Sequence, residues 1–319
     1  MIVLLFLLSI TVFLLFSLLP GDPARLTCGK ACSPEIVASN RHRLGLDEPI
    51  LVQYQKFVTG LFAGRVFSPT SPEPIVCEAP CLGYSFFRRE TVGSLLARAA
   101  PATFWLATGA FIIWMAVGVF FGIVAALFRG RWLDRLITAI SLVGYSMPSF
   151  FIGLLLVFFI IIRLRWLPFP SFVEPWEDPL RFLQTMILPW ITLAILDAAF
   201  YIRLTRSQVL ESFGEDYVRT ARAKGLPESA VVVKHALRAG LMPIVTAAGL
   251  DLAGLLGGAI ISENIFSLPG LGSLAVDSVI QADLPVITGL TLVTAAIIIV
   301  ANLVVDVLYA YIDPRVRIG

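Results

Sequence analysis

Two stretches of this chain, Ala102–Phe128 and Leu136–Ile162, carry no charged residue at all. Each exceeds the roughly 20 apolar residues that take an α-helix across the hydrocarbon of a bilayer. Three further runs have the same length and character with one acidic residue apiece: Phe182–Ile202 holds Asp197, Ala239–Ser262 holds Asp251, and Val286–Ile312 holds Asp306. A sixth, Ile2–Leu19, opens the chain; no basic residue precedes it and Pro20-Gly-Asp-Pro23 follows where a signal peptide would have small residues, so it reads as an uncleaved helix. Apolar residues make up 58% of the sequence and charged residues 14%, against about 45–50% and about 25% in soluble domains. The expected fold is therefore an all-α integral membrane protein with six transmembrane helices. Pro148, Pro189 and Pro243 fall inside or at the start of spans, where neighbouring helices can satisfy the freed backbone groups.

The order of the runs divides the chain into a first transmembrane helix (1–20), a polar, Pro- and Gly-rich segment (21–100), and a five-helix core (101–319) with a charged loop at 203–238. The 21–100 segment reads as a small external lid of short helices between the first two spans. Ser33-Pro34-Glu35 predicts one such helix, capped by Ser33, over Ile36–Arg43. Six spans put both termini on one side. The loops on that side (129–135, 203–238 and the tail 313–319) hold twelve Lys or Arg, while the opposite short loops (163–181 and 263–285) hold three. The positive-inside rule then places both termini and the 203–238 loop in the cytoplasm.

Other chemistries find little material. A net charge of +2 gives no reason to expect nucleic acid, and no Walker A or dinucleotide-binding glycine pattern is present. Two His, no Ser/His/Asp set and no suitably spaced carboxylate pair leave no catalytic site and no metal site to nominate. Cys28, Cys32, Cys77 and Cys81 all lie in the lid, where an oxidising exterior favours disulfides; three pairings are open, beside the alternatives of thiolate metal binding and free thiols.

The longest charged interval between two spans, 211–243, has helix-forming composition on both sides of Gly225-Leu226-Pro227. A Gly with Pro two residues on ends one helix and can start another at a new angle. Two short helices meeting at a bend are suited to receiving a push from a soluble partner. Tyr217-Val-Arg-Thr-Ala-Arg-Ala-Lys-Gly225, with His235-Ala-Leu-Arg238 and Pro243 after it, resembles the cytoplasmic coupling loop of bacterial ATP-binding-cassette (ABC) importer permeases. The likeness is to the first-permease branch of the dipeptide and oligopeptide (and nickel) importers. Leu237-Arg238, where importers at large have Leu-Pro, fits that branch. Leu18-Leu-Pro-Gly-Asp-Pro23, Leu44-Gly-Leu-Asp-Glu-Pro49 with Gln53-Tyr54, Gly83-Tyr-Ser-Phe86, Glu263-Asn-Ile-Phe266, Asp283-Leu-Pro285 and Asp306-Val-Leu-Tyr309 extend the likeness over nearly the whole chain.

The resemblance implies a non-catalytic permease in a bacterial cytoplasmic membrane. It would pair with a second, homologous permease, two ATPase subunits and an extracytoplasmic substrate-binding protein, and import di- or oligopeptides. The chain itself would hold no cofactor, ATP and Mg²⁺ lying on the ATPases. It implies that Glu211, Tyr217, Arg219, Ala221, Arg222, Lys224, Gly225, Leu226, His235 and Arg238 form the ATPase-coupling site. Nickel-chelate or oligosaccharide import are the alternatives within the family, and a proton-coupled carrier using Asp197, Asp251 or Asp306 is the alternative outside it. Asp197 and Asp251 lack a Lys or Arg within easy reach on their own helices, so each should face a watery cavity or a polar partner; we expect them to line the translocation path, or else to serve packing alone. Gly118-x-x-x-Gly122 and Gly254-x-x-x-Gly258 allow close helix contact, within the chain or with the partner permease.

Overall fold

A computed structural model describes residues 2–18, 24, 33–44, 46–67 and 74–312. The chain forms two compact units, one from Met1–Pro101 with Pro269–Ile299 and the other from Ala102–Leu268 with Val300–Gly319.

In the first unit, α1 (Ile2–Leu18) meets α3 (Ile50–Ala63) through Phe13, whose ring lies 5.3 Å from Tyr54 and 5.8 Å from Phe57. Between them, α2 (Pro34–Leu44) starts as expected: the Ile36 N–H donates to Ser33 Oγ at 3.3 Å. The described part of 21–100 is not made of helices alone. Arg65–Phe67 (β1) and Ile75–Cys77 (β2) pair antiparallel, with Val66 opposite Val76, and Tyr84–Ser85 (β3) pairs with Glu90–Thr91 (β4). A Cys77–Cys81 disulfide closes on β2, and Phe67, Tyr84 and Phe86 pack edge to face beside it. Strands of two or three residues are too short to show an alternating pattern in sequence. Cys28 and Cys32 lie outside the described residues. The core of this unit is Val92, Leu95, Leu96 and Ala99 against Leu271, Leu274, Val286 and Leu290.

The second unit is built on α4 (Val92–Leu127) and α7 (Pro179–Phe213), both far longer than a crossing requires. Asp178 caps α7 by accepting the Arg181 N–H at 3.0 Å, with Pro179 in the first helical position, where its missing N–H costs nothing. The two helices approach closely because α4 presents glycines: a Cβ added at Gly118 would stand 2.4 Å from Tyr201 Cβ, and one at Gly122 2.5 Å from Thr205 Cβ. The first Gly-x-x-x-Gly pair is thus an intrachain contact. The second is not a pair on one helix. α10 (Leu237–Leu256) ends before Gly258, whose φ is +123°, and a Cβ at Gly254 would meet nothing within 4 Å.

The uncharged run at 136–162 is bent rather than straight. It forms α5 (Trp132–Ser146) and α6 (Ser149–Leu156), the latter continued by a π-helical stretch, Val157–Arg163, and the two halves meet at 96°. Pro148 excludes the helical conformation from the residue before it, and Met147 is extended at φ −87°, ψ 132°. The remaining elements are α8 (Asp216–Ala223), α9 (Glu228–Ala230), α11 (Ile260–Ile265), α12 (Leu271–Ile280) and α13 (Leu284–Ile312). Among the described residues three helices are long and apolar enough to cross a membrane, four if the bent pair counts as one crossing; Gly240–Leu256 is a shorter apolar helix, and α1 has 17 residues.

Candidate coupling site

The loop expected at 203–238 begins later than its charges suggest, because α7 stays helical to Phe213. Gly214 and Glu215 turn the chain, and α8 runs from Asp216 to Ala223. Its end is a Schellman motif: the Gly225 N–H bonds the Arg222 carbonyl at 2.9 Å and the Leu226 N–H reaches back to the Ala221 carbonyl at 3.4 Å. Gly225 adopts φ +73°, which a β-branched residue resists. Pro227 then precedes α9, which passes through a π-helical turn, Val231–Ala236, directly into α10. The second helix of the bend is therefore the start of a long apolar helix rather than a separate short one.

Small apolar contacts hold the bend. Val218 and Ala221, one turn apart on α8, pack with Val231 under Phe213 at the end of α7. The Arg222 guanidinium lies 4.7 Å over the Phe213 ring and donates through Nη2 to Glu228 Oε1 at 2.6 Å and through Nε to Oε2 at 3.3 Å. That pair spans the Gly225 break, and the hydrogen bond to Glu228 holds the Arg222 pKa above its usual value.

The residues expected here thus divide. Glu211, Tyr217, Arg219, Lys224, Gly225 and Leu226 are exposed, Tyr217 and Leu226 at 43% and 42%. Ala221 is buried and holds the bend together, so it does not belong to the outward surface. Arg222 joins the two sides of the bend. His235 and Arg238 lie in the backbone just described, with side chains outside the described set.

A residue that the sequence reading passed over stands next to this element. Asp134, in the first turn of α5 and 4% exposed, accepts from Arg206 Nε at 2.7 Å and from Arg206 Nη2 at 2.9 Å. It also accepts the Gly130 N–H at 2.9 Å. Three residues earlier on α7, the Arg203 guanidinium sits 4.4 Å over the Tyr145 ring at the far end of α5. The only signals in sequence are an acid in a first helical turn and two arginines on another helix.

One of the two carboxylates expected inside spans is bonded across helices. Tyr201 is fully buried and donates its hydroxyl to Asp251 Oδ2 at 2.6 Å, and Asp197 lies one turn before Tyr201 on α7. Asp197 is half-buried and Asp251 exposed. The expectation of a polar partner holds for Asp251. The partner is a hydroxyl, and no ion pair is formed at either carboxylate among the described residues. Trp114 stacks beside Tyr201 with centroids 6.5 Å apart. Asp306 is in α13, its side chain outside the described set. Among the described residues no group of three or more His, Cys, Asp or Glu side chains could hold a metal ion.

In the first unit, Gly83-Tyr-Ser-Phe86 and Asp283-Leu-Pro285 also meet. Ser85 Oγ donates to Asp283, Arg88 N–H donates to Ser85 Oγ at 3.0 Å, and Arg88 faces Asp277 at 3.7 Å. Burial pushes the Asp283 carboxyl pKa up, against the Ser85 hydrogen bond and the Arg88 charge. Glu263, wholly buried in the second unit, accepts from Thr103 Oγ1 at 2.8 Å and from the Ala259 N–H at 3.2 Å, which ties α11 to α4.

Residues 118–318 match the family described as binding-protein-dependent transport system inner membrane component, and residues 1–107 match its N-terminal membrane component family. The chain belongs to this family. It is a permease subunit of an ABC importer. A putative peptide transport system permease protein of Brucella abortus (strain 2308) is 39% identical over 309 residues, covering 97% of this chain and 93% of that one. The glutathione transport system permease protein GsiC of Salmonella typhimurium (strain LT2) is 40% identical over 309 residues, with the same coverage. The fold is shared with a chain of the inward-facing MetNI methionine ABC transporter, at TM-score 0.57 and 18% identity over 69% of this permease and 97% of that chain. Family membership sets aside the carrier alternative.

Proposed function

We propose that this permease forms half of the translocation path of an importer for short peptides. In this reading it crosses the inner membrane six times with both termini in the cytoplasm, and 21–100 forms an external lid. Its partners are a second, similar permease, two ATPase subunits that hold the ATP and Mg²⁺, and an external binding protein; no cofactor and no catalytic residue lie in this chain. The relatives named for peptide and glutathione transport support the substrate class. The bend at Gly225 carries the coupling assignment. It is a stiff, outward-facing helix fixed to the end of α7 by Phe213, Val218, Ala221 and Val231 and laced by Arg222–Glu228, a shape that can take up displacement of a docked ATPase without yielding. Packed elements of this kind switch between discrete states.

Asp197 and Asp251 line the path in this proposal. A carboxylate facing lipid costs roughly 2.5–3.5 kcal/mol on insertion scales, and a path that attracts the amino end of a peptide offers them an aqueous setting. The test is uptake into proteoliposomes holding the complete complex, offered labelled dipeptides, glutathione, a nickel chelate and an oligosaccharide. ATP-dependent uptake of the peptides alone supports the reading; uptake of only the chelate or the sugar overturns the substrate class. Gly225→Val should abolish uptake at normal membrane insertion. Uptake unchanged in that variant, at matched protein level, would remove the bend from the mechanism.

A further inference from the structure

We infer that Asp134 and Arg206 form the joint through which movement of the bend at Gly225 reaches the kinked pair α5–α6. The inference rests on the coupling role proposed above and adds the route by which displacement leaves that element.

Displacement of α8 reaches the end of α7 directly, because Phe213 is packed under Val218, Ala221 and Val231. From Phe213 back to Arg206 the chain is unbroken helix, seven residues or about two turns. At Arg206 the load meets the one ion pair between α7 and α5 among the described residues. Its geometry suits transmission. Two parallel hydrogen bonds fix both the distance and the orientation of a planar guanidinium on a carboxylate, where a single contact would swivel. Asp134 has no slack either. Its second oxygen also holds the Gly130 N–H, and Thr138 Oγ1 approaches the first at 3.4 Å, so the carboxylate is tied to both the turn before α5 and the helix itself.

What lies beyond the joint can respond. α5 is held to α7 again near its far end, where a Cβ on Gly144 would lie 3.6 Å from Ile195 and 3.7 Å from Ala199, and where Arg203 covers Tyr145. Directly after that contact comes the 96° bend at Met147-Pro148, and α6 follows with Gly153 against Thr192 of α7 and Ile265 of α11. A push at the Asp134 end of α5 therefore rotates a stiff rod whose other end carries the bend. Asp134 and Arg206 are positioning residues in this scheme, since neither need touch the substrate.

The experiment uses the complete complex in nanodiscs, with an environment-sensitive fluorescent amino acid placed at Lys224 in one preparation and at Phe150 of α6 in another. Each is compared between ATP-free and vanadate-trapped states. In the otherwise unaltered chain both positions should respond. Arg206→Lys keeps the charge and loses the fork; Asp134→Asn keeps the size and loses the charge. In either variant the Lys224 signal should persist, the Phe150 signal should fall at least five-fold, and ATP hydrolysis should continue without matching uptake. Undiminished Phe150 signals in both variants overturn the joint. Loss of both signals in a complex that still assembles also overturns it, because the pair would then do no more than hold the bend in place. Should Asp134→Asn fail to assemble, Arg206→Lys decides. Silence at Lys224 in the unaltered chain would overturn the coupling role itself, and is distinguishable from failure of the joint, in which Lys224 responds.

Discussion

α7 carries two acidic settings nine residues apart, and they are built on opposite principles. Around Arg206, a nearly buried carboxylate is matched with a cation in two hydrogen bonds and a backbone N–H completes its shell. Around Tyr201, the hydroxyl serves Asp251 alone, Asp197 lies one turn away on α7, and neither carboxylate has an ion-pair partner among the described residues. Removing a charge from water is costly, and a buried pair recovers that cost only with good geometry and every lone pair occupied. The first setting meets the condition and is a fixture. The second does not meet it among the described residues. The two settings therefore respond differently to loss of a charge, which mutation can test.

The largest effect expected from this contrast is at Arg206. Arg206→Ala leaves Asp134 buried without its cation and should cost about 3 kcal/mol, the low end for a broken buried pair because Arg206 keeps 28% exposure. Asp197→Asn removes a charge that has no ion-pair partner among the described residues and should be neutral or stabilising. Unfolding of the purified chain in mixed SDS micelles compares the two. Equal destabilisation would erase the distinction between them.

Next in size is the glycine that admits Tyr201. A leucine at Gly118 must push against Tyr201 Cβ, and overpacking of that kind costs roughly 1–3 kcal/mol. Gly254→Leu has open space and should change the stability of the isolated chain by less than about 0.5 kcal/mol, the usual limit for substitutions away from packed features. If Gly254→Leu leaves the chain folded but blocks assembly of the complex, the face holding Asp251 and Gly254 meets the second permease; normal assembly would exclude that. Tyr201→Phe, smaller again, deletes the hydroxyl that Asp251 accepts. Helix-to-helix hydrogen bonds in membranes average about 0.6 kcal/mol, so unfolding should move by that order while the peptide concentration dependence of uptake changes more. A loss of several kcal/mol would mean that the cluster is a structural fixture after all.

How much of this was legible in sequence follows from how local each cause is. Gly225-Leu226-Pro227 was read as a bend because a left-handed cap and a helix restart are written within three residues. Ser33 was read as a cap for the same reason. Pro148 was read as lying within a span, without the size of the bend it allows. A proline can kink a span or be absorbed by it, and what decides here is that Met147 takes the extended conformation, a choice made by the packing on both sides. The strands at 65–67 and 75–77 are too short to carry a period. Asp134 and Arg206 stand 72 residues apart, so no window shows them together. Ala221, named with the coupling loop, lies on the same inward face of α8 as Val218, as the 3.6-residue period requires.

A third carboxylate sharpens the comparison at the smallest scale, since Asp283 has a hydroxyl partner, as Asp251 does, yet is buried in the first unit. Burial holds its pKa above the ordinary value, with the Ser85 hydroxyl and the Arg88 charge opposing. The folded state therefore binds this proton more tightly than the unfolded chain, whose aspartates titrate near 3.9. Its contribution to stability is complete below that value and is lost as pH rises through the raised one. Asp283→Asn keeps an acceptor for Ser85 and cannot titrate. Unfolding of this chain from about pH 4 upward should show a declining contribution that is absent from the variant. Parallel curves for the two proteins would mean that the Ser85 hydrogen bond and the Arg88 charge outweigh burial.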